Sequence, residues 1–166
     1  MTVKKLIGAV TLAAGALLVG AIFGQPGSGS AAPTPNGCPT GSGTIQIKDL
    51  TPPARLTIQR QGITPSVVTR STNSIEPEFL VTACNGRPVE GATVFAISIP
   101  YNQFTGEQGT TGADGKVSLT ASRLSGFPAS RRQQLLVLLA RATKPGEPLI
   151  GGVSTRRAIS FPVSLG

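Results

Sequence analysis

Between Thr44 and Val163 the chain is divided into short alternating or β-branched runs, and that spacing leaves few folds open. The runs read TIQIK (44–48), RLTIQR (55–60), EFLVTAC (78–84), ATVFAISI (92–99), KVSLTAS (116–122) and VSTRRAISFPV (153–163). Side chains along a strand alternate between two faces, so a period of two buries one face and leaves the other in water. Gly, Pro, Asn or Asp closes each run, and these residues favour turn geometries. Short strands at this spacing point to an all-β antiparallel sandwich of about seven strands rather than a helix bundle or a βαβ array. Phe79, Val81 and Ala83 share one face, as do Val117, Leu119 and Ala121, and such faces bury against a second sheet.

Residues 131–143, RRQQLLVLLARAT, fit this pattern less easily. Ser130 is a potential N-cap and the apolar residues suit a short helix. A doubly covered central strand from about Gln134 to Ala142 is favoured, because a turn and another strand follow at once. Asn85-Gly86-Arg87-Pro88 and Lys144-Pro145-Gly146-Glu147 read as tight corners. Ala113-Asp114-Gly115-Lys116 reads as a two-residue Asp-Gly corner, in which glycine supplies positive φ and the aspartate accepts bonds from nearby backbone N–H groups. A calcium loop would need several oxygen side chains at alternating positions, and the neighbours of Asp114 are Thr, Gly, Ala and Lys.

The N-terminal region is written differently. Lys4 and Lys5 precede a charge-free stretch from Leu6 to Phe23, and small residues lead to Ala31 and Ala32, the layout of a secretion signal cut after one of them. Left uncut, the same segment would anchor the chain in a membrane. Residues 1–32 are thus expected as a signal peptide, 33–43 as a Pro/Gly/Ser/Thr-rich tether that is mobile except at Cys38, and 44–166 as the folded domain. Export makes the protein secreted or surface-held and brings Cys38 and Cys84 into an oxidising compartment, where a disulfide is the default.

Missing residue types limit the chemistry. Without histidine the chain has no Ser-His-Asp arrangement and no His-bearing metal site. Two cysteines alone cannot complete a zinc site without several carboxylates. The acids mostly sit beside turn residues, with nothing that requires a converging pair of glycosidase type. GEQGTTGADG does not continue into the Lys-Ser/Thr of a phosphate-binding loop and leads into a strand. No catalytic residue, cofactor or metal ligand is expected.

Without the leader, ten Arg and three Lys stand against seven acids, a formal charge of +6. On an exported protein that charge suits anionic envelope polymers or lipid headgroups, or it only maintains solubility. Nucleic acid is not expected, because six Phe, one Tyr and no Trp leave few stacking partners. The densest basic pairs are Arg131-Arg132 and Arg156-Arg157, whose members would point to opposite faces of a strand. In PYNQFTGEQ, Tyr101 and Phe104 bracket Asn102 and Gln103, a grouping that contacts sugars or a protein partner, or else packs beneath the loop.

FLVTACNGRPVEGATVFAISIPYNQF, TTGADGKVSLTA and LLARATKPGEPLIGGVSTRRAISFPV together resemble the bacterial immunoglobulin-like modules of exported actinobacterial and related proteins, close in style to carboxypeptidase-regulatory-like domains. The resemblance spans roughly residues 53–165. Its clearest motifs are Gly91-Ala92 with Val94 after GRPVEG, Asp114-Gly115, and KPGEPLIGGVSTRR. It implies a β-sandwich serving as a spacer, adhesion or interaction unit, without catalysis. Neither cysteine lies near the C-terminus, so the inter-sheet disulfide of antibody-type domains cannot form. A Cys38–Cys84 bond would instead staple the tether to an early strand. Surface domains of this kind sometimes carry Lys–Asn crosslinks, for which Lys48, Lys116 and Lys144 with Asn73, Asn85 or Asn102 are available. Three functional readings stand at this point: a module binding an envelope polymer or surface protein, a spacer without a ligand, and a small carboxylate hydrolase.

Overall fold

The computed structural model describes residues 34–148 and 152–166; the expected leader, residues 1–32, lies outside them. The described chain forms strands β1 (Ile45–Gln46), β2 (Thr57–Thr64), β3 (Val68–Thr69), β4 (Ser74–Ala83), β5 (Arg87–Glu90), β6 (Thr93–Ile99), β7 (Glu107–Thr110), β8 (Lys116–Ser118), β9 (Ala121–Ser122), β10 (Leu135–Thr143) and β11 (Thr155–Ser164), with one 3₁₀ turn at Ile47–Asp49. One sheet runs β1-β5-β4-β2, with β8 and β9 also paired to β4, and the other runs β3-β11-β10-β6-β7. Pairing is antiparallel except for β1 with β5 and β3 with β11. Among the described residues no helix is long and apolar enough to cross a membrane.

The two sheets bury their inner faces against each other. Ile58, Phe79, Val81, Ala83, Val117, Leu119 and Ala121 come from the first sheet or the segment joining its short strands. Val94, Ala96, Leu136, Leu138, Ala140, Ile159 and Phe161 come from the second. At the β7–β8 side the approach is so close that a Cβ on Gly109 would lie 2.8 Å from the side chains of both Val117 and Leu119. A side chain there would force the sheets apart.

The expected runs fall on strands, with instructive departures. TIQIK gives only the two-residue β1, because Ile47–Asp49 turns into the 3₁₀ segment. Residues 116–122 split into β8 and β9 around Leu119 and Thr120. The facing residue on β4 is Pro77, which has no N–H for the ladder, so only Leu119 N–H bonds to Pro77 O, at 3.1 Å. Residues 135–143 form a strand, not a helix, and it is central, between β11 and β6. The expected double covering is corrected: Leu136, Leu138, Ala140 and Ala142 are buried, but Leu135 is 54% and Leu139 36% exposed. A two-layer sandwich gives each sheet only one inner face. Short strands β3 and β7 at the sheet edges, and β5 between β1 and β4, appear where no apolar alternation announces them, β5 directly after the corner at Cys84-Asn85-Gly86, whose φ values are 49°, 66° and 84°.

The Asp114 corner is one residue longer than expected. Gly115 N–H donates to Gly112 O (2.9 Å) and Gly112 N–H to Lys116 O (3.0 Å), which closes a three-residue loop. Only Gly115 has positive φ, +74°, whereas a two-residue type I′ turn needs two such residues. Asp114 Oδ1 accepts from Lys116 N–H at 3.0 Å, so the carboxylate braces the corner. The tether is held at more points than Cys38. Arg87 donates to Gly43 O and Pro39 O, both at 2.8 Å, and Thr51 N–H donates to Gly37 O at 3.0 Å.

Candidate interaction surface

The loop after β6 divides into two halves with opposite fates. Phe104 is fully buried, its ring 5.1 Å from that of Phe127 at an interplanar angle of 56°. Gln103 is buried as well. Its Nε2 donates to Ile99 O (3.1 Å) and its Oε1 accepts from Gln133 Nε2 (2.6 Å), so the amide ties the loop to the entrance of β10. Ser98 Oγ, also buried, accepts from Phe104 N–H at 3.0 Å. Tyr101 is 77% exposed and Asn102 is exposed. Of the four residues expected to form a contact loop, Tyr101 and Asn102 face solvent, while Gln103 and Phe104 form the floor that holds them.

The basic pairs separate as strand geometry requires. Arg156 stands across from Arg141 on the outer face of the second sheet. Arg157 has the same strand parity as buried Ile159 and reaches sideways toward β2, where its Nη1 lies 3.5 Å from Ile58 O. Arg131 and Arg132 lie exposed in the turn that precedes β10.

Most acids have structural partners. Glu76 accepts from Thr120 Oγ1, Glu90 from Gln46 Nε2, Glu107 from Thr105 Oγ1, and Glu147 from the backbone N–H of Val153. Glu78 pairs with Lys116 at 3.5 Å. Among the described residues, no three acidic or cysteine side chains gather in a way that would hold a metal ion. Lys144 Nζ is bonded to the carbonyls of Lys48 (3.0 Å) and Leu50 (2.8 Å). Cys38 and Cys84 are joined by a disulfide with their Cα atoms 5.8 Å apart, which staples the tether to the end of β4.

The surface that sequence reading missed is the outer face of β6 and β10. Val94, Ala96 and Ser98 point inward and are buried, so Phe95, Ile97 and Ile99 point outward. On β10 the outward residues are Leu135, Val137, Leu139 and Arg141. The register sets Ile99 beside Val137, Ile97 beside Leu139 and Phe95 beside Arg141, whose guanidinium carbon lies 5.8 Å from the Phe95 ring centroid. Ala158 and Pro162 of β11 extend the face. Of the six exposed large apolar residues in the described chain, Ile99, Leu135 and Leu139 lie here and Tyr101 stands at its end. Among the described residues the outward positions of β6, β7, β10 and β11 carry no acid. The signal available in the sequence was the presence of apolar residues at both parities of β10.

Strand order defines the class. A β11-β10-β6-β7 sheet packed on a β2-β4 sheet completed by β8 and β9 is the arrangement of an immunoglobulin-like sandwich, with β2 leading into β3, which lies beside the last strand. The chain is similar in structure to a bacterial immunoglobulin-like domain from the M. primoryensis ice-binding adhesin, at 15% sequence identity and a TM-score of 0.38, over 66% of this chain and 96% of that one. No family model matches the sequence, and no curated protein matches it.

Proposed function

We propose that this is a non-catalytic, exported immunoglobulin-like module whose outer β6–β10 face docks a protein partner with an apolar centre and an acidic rim. One observation carries the reading: Ile97, Ile99, Leu135, Val137 and Leu139 form a contiguous apolar face on the solvent side of a two-layer sandwich. An antiparallel sheet with one solvated face ordinarily alternates apolar-in and polar-out. Contiguous apolar surface on a monomer marks an interaction site. Charge complementarity selects the partner, since Arg141 and Arg156 flank the patch and no acid among the described residues offsets them on that face. Tyr101 adds an exposed aromatic anchor at one end. The disulfide supports an oxidising, extracytoplasmic setting. The narrower kinship with carboxypeptidase-regulatory-like modules belongs to this proposal and rests on the quoted motifs.

A photo-crosslinking residue placed at Leu139, with Glu76 on the opposite sheet as control position, tests the reading in the disulfide-intact protein exposed to envelope extract. The expected result is an adduct with an acidic protein from position 139 alone, lost when Ile97→Asp is added without a change in melting temperature. Crosslinking of the chain to itself, equal adducts from both positions, or no adduct would reject the docking face and leave a spacer.

A further inference from the structure

We infer that the open seam between β2 and β11 is a second binding site, a groove for anionic oxygen groups carried by Arg60 and Arg157. The seam exists because two sheet edges end on the same side of the sandwich. β2 is the edge of its sheet, and β11 is covered on its far side only by the two-residue β3, opposite Val163 and Ser164. Along β2, Ile58 points inward and is buried, and the next residue of that parity is Arg60. Along β11, Ile159 and Phe161 are buried, and the preceding residue of that parity is Arg157. Arginines thus occupy the positions where the core would otherwise continue.

Each arginine crosses to the other sheet. Arg60 Nη1 donates to Ser160 O at 2.7 Å, with its guanidinium carbon 5.6 Å from the Phe161 ring centroid. Arg157 Nη1 reaches Ile58 O at 3.5 Å. Guanidinium carries five N–H donors, so most on both residues stay available after these contacts. In an antiparallel ladder the N–H and C=O of one residue turn to the same side. The carbonyls of Ile58 and Ser160 face the seam, and their N–H groups therefore face it too. The cavity here encloses about 410 Å³ and is lined by Gln59, Arg60, Arg157, Ala158, Ile159 and Ser160. A neighbouring cavity of about 280 Å³ also includes Arg60 and continues along β2, past the register shift between Arg60 and Gly62. No acid lines either cavity, and among the described residues neither arginine has an acidic partner.

A groove with two uncompensated guanidinium groups and inward-facing backbone donors recognises repeated phosphate or carboxylate oxygens along an extended polymer. The rival explanation is edge protection, since inward-pointing charges also blunt strand edges against pairing. That role places the arginines but calls for no anion.

The test is titration of inorganic tripolyphosphate, and separately of polygalacturonate, into ¹⁵N-labelled protein at about 0.15 M salt, where exposed charges are largely screened. The expected result is saturable shifts confined to the backbone amides of Ile58 and Ser160 and the Nε–H signals of Arg60 and Arg157. Binding of the first polymer alone marks phosphate as the ligand group, of the second alone carboxylate, and of both the shared chemistry. The Arg60→Gln, Arg157→Gln double variant should bind at least about tenfold more weakly, whereas Arg131→Gln with Arg132→Gln should change affinity less than about twofold. Arg157→Gln alone removes only a long hydrogen bond, keeps the fold and should still weaken binding. Shifts spread evenly over all surface arginines, unchanged affinity in the Arg157→Gln protein, or self-association of the double variant without any anion binding by the parent would overturn the assignment.

Discussion

Phe104→Ala and Tyr101→Ala, made one at a time, measure how the loop after β6 is held. The two aromatics are three positions apart, yet Phe104 is fully buried and Tyr101 is 77% exposed. Truncating a buried phenylalanine costs about 3–5 kcal/mol, lost transfer energy and residual cavity together. Within that figure, the tilted pair with Phe127 accounts for about 0.5–1.5 kcal/mol. An exposed residue outside any special geometry changes stability by no more than about 0.5 kcal/mol. For a domain of this size each kcal/mol moves Tm by roughly 3–5 °C. Phe104→Ala should therefore lower Tm by about 10–20 °C, and Tyr101→Ala by about 2 °C at most. Urea unfolding of the oxidised protein followed by circular dichroism gives the free energies, provided the slopes of variant and parent agree. Adding Phe127→Ala and the double variant closes a cycle whose coupling should fall near 0.5–1.5 kcal/mol. Equal losses in the two single variants, or a loss below about 1 kcal/mol for Phe104→Ala, would refute the view that Phe104 anchors the loop from beneath.

Replacing both Cys38 and Cys84 by serine opens a loop of sequence separation 46, for which chain entropy gives a loss of about 4 kcal/mol; an unchanged urea midpoint would show that the tether contributes nothing through the staple. Intact mass before and after reduction, with a gain of two hydrogens, confirms the bond independently. Gly115 and Gly146 both have positive φ, +74° and +77°, but a Cβ on Gly115 would lie 2.7 Å from Val81 O and 2.9 Å from Pro88 Cβ, while one on Gly146 meets nothing within 4 Å. Gly146→Ala should cost only the left-handed penalty of about 1–2 kcal/mol, and Gly115→Ala distinctly more; equal losses by urea unfolding would contradict the close approach of the corner to β4 and β5.

Strand position is legible wherever an inner face has to be filled. β2, β4, β6 and β11 lie on the alternating runs because a period of two carries their buried residues. β7, with sequence EQGT, has no apolar residue to advertise it, and of its two inward positions, Glu107 and Gly109, the glycine lies where closeness to β8 matters more than side-chain volume. β5 hides behind Pro88 and the corner before it, because proline there joins at a strand's first residues. β10 misleads in the opposite direction. Its apolar residues at both parities suggest a strand covered twice, whereas one parity meets the core and the other forms the proposed docking face.

The β period, the chemistry of the corners and the cysteine pair are readable along the chain, because they depend on residues close in sequence or on the compartment the thiols meet. Asp114 is a case in point: its bond to Lys116 N–H spans two residues, and its bracing role is readable from Asp-Gly alone. That Phe104 belongs to the core and Tyr101 to the surface, or that Arg60 reaches Ser160, 100 residues away in sequence, follows from how the two sheets close on each other. Burial and long-range charge contacts depend on which distant segment the sandwich closes against, and no local preference encodes that choice.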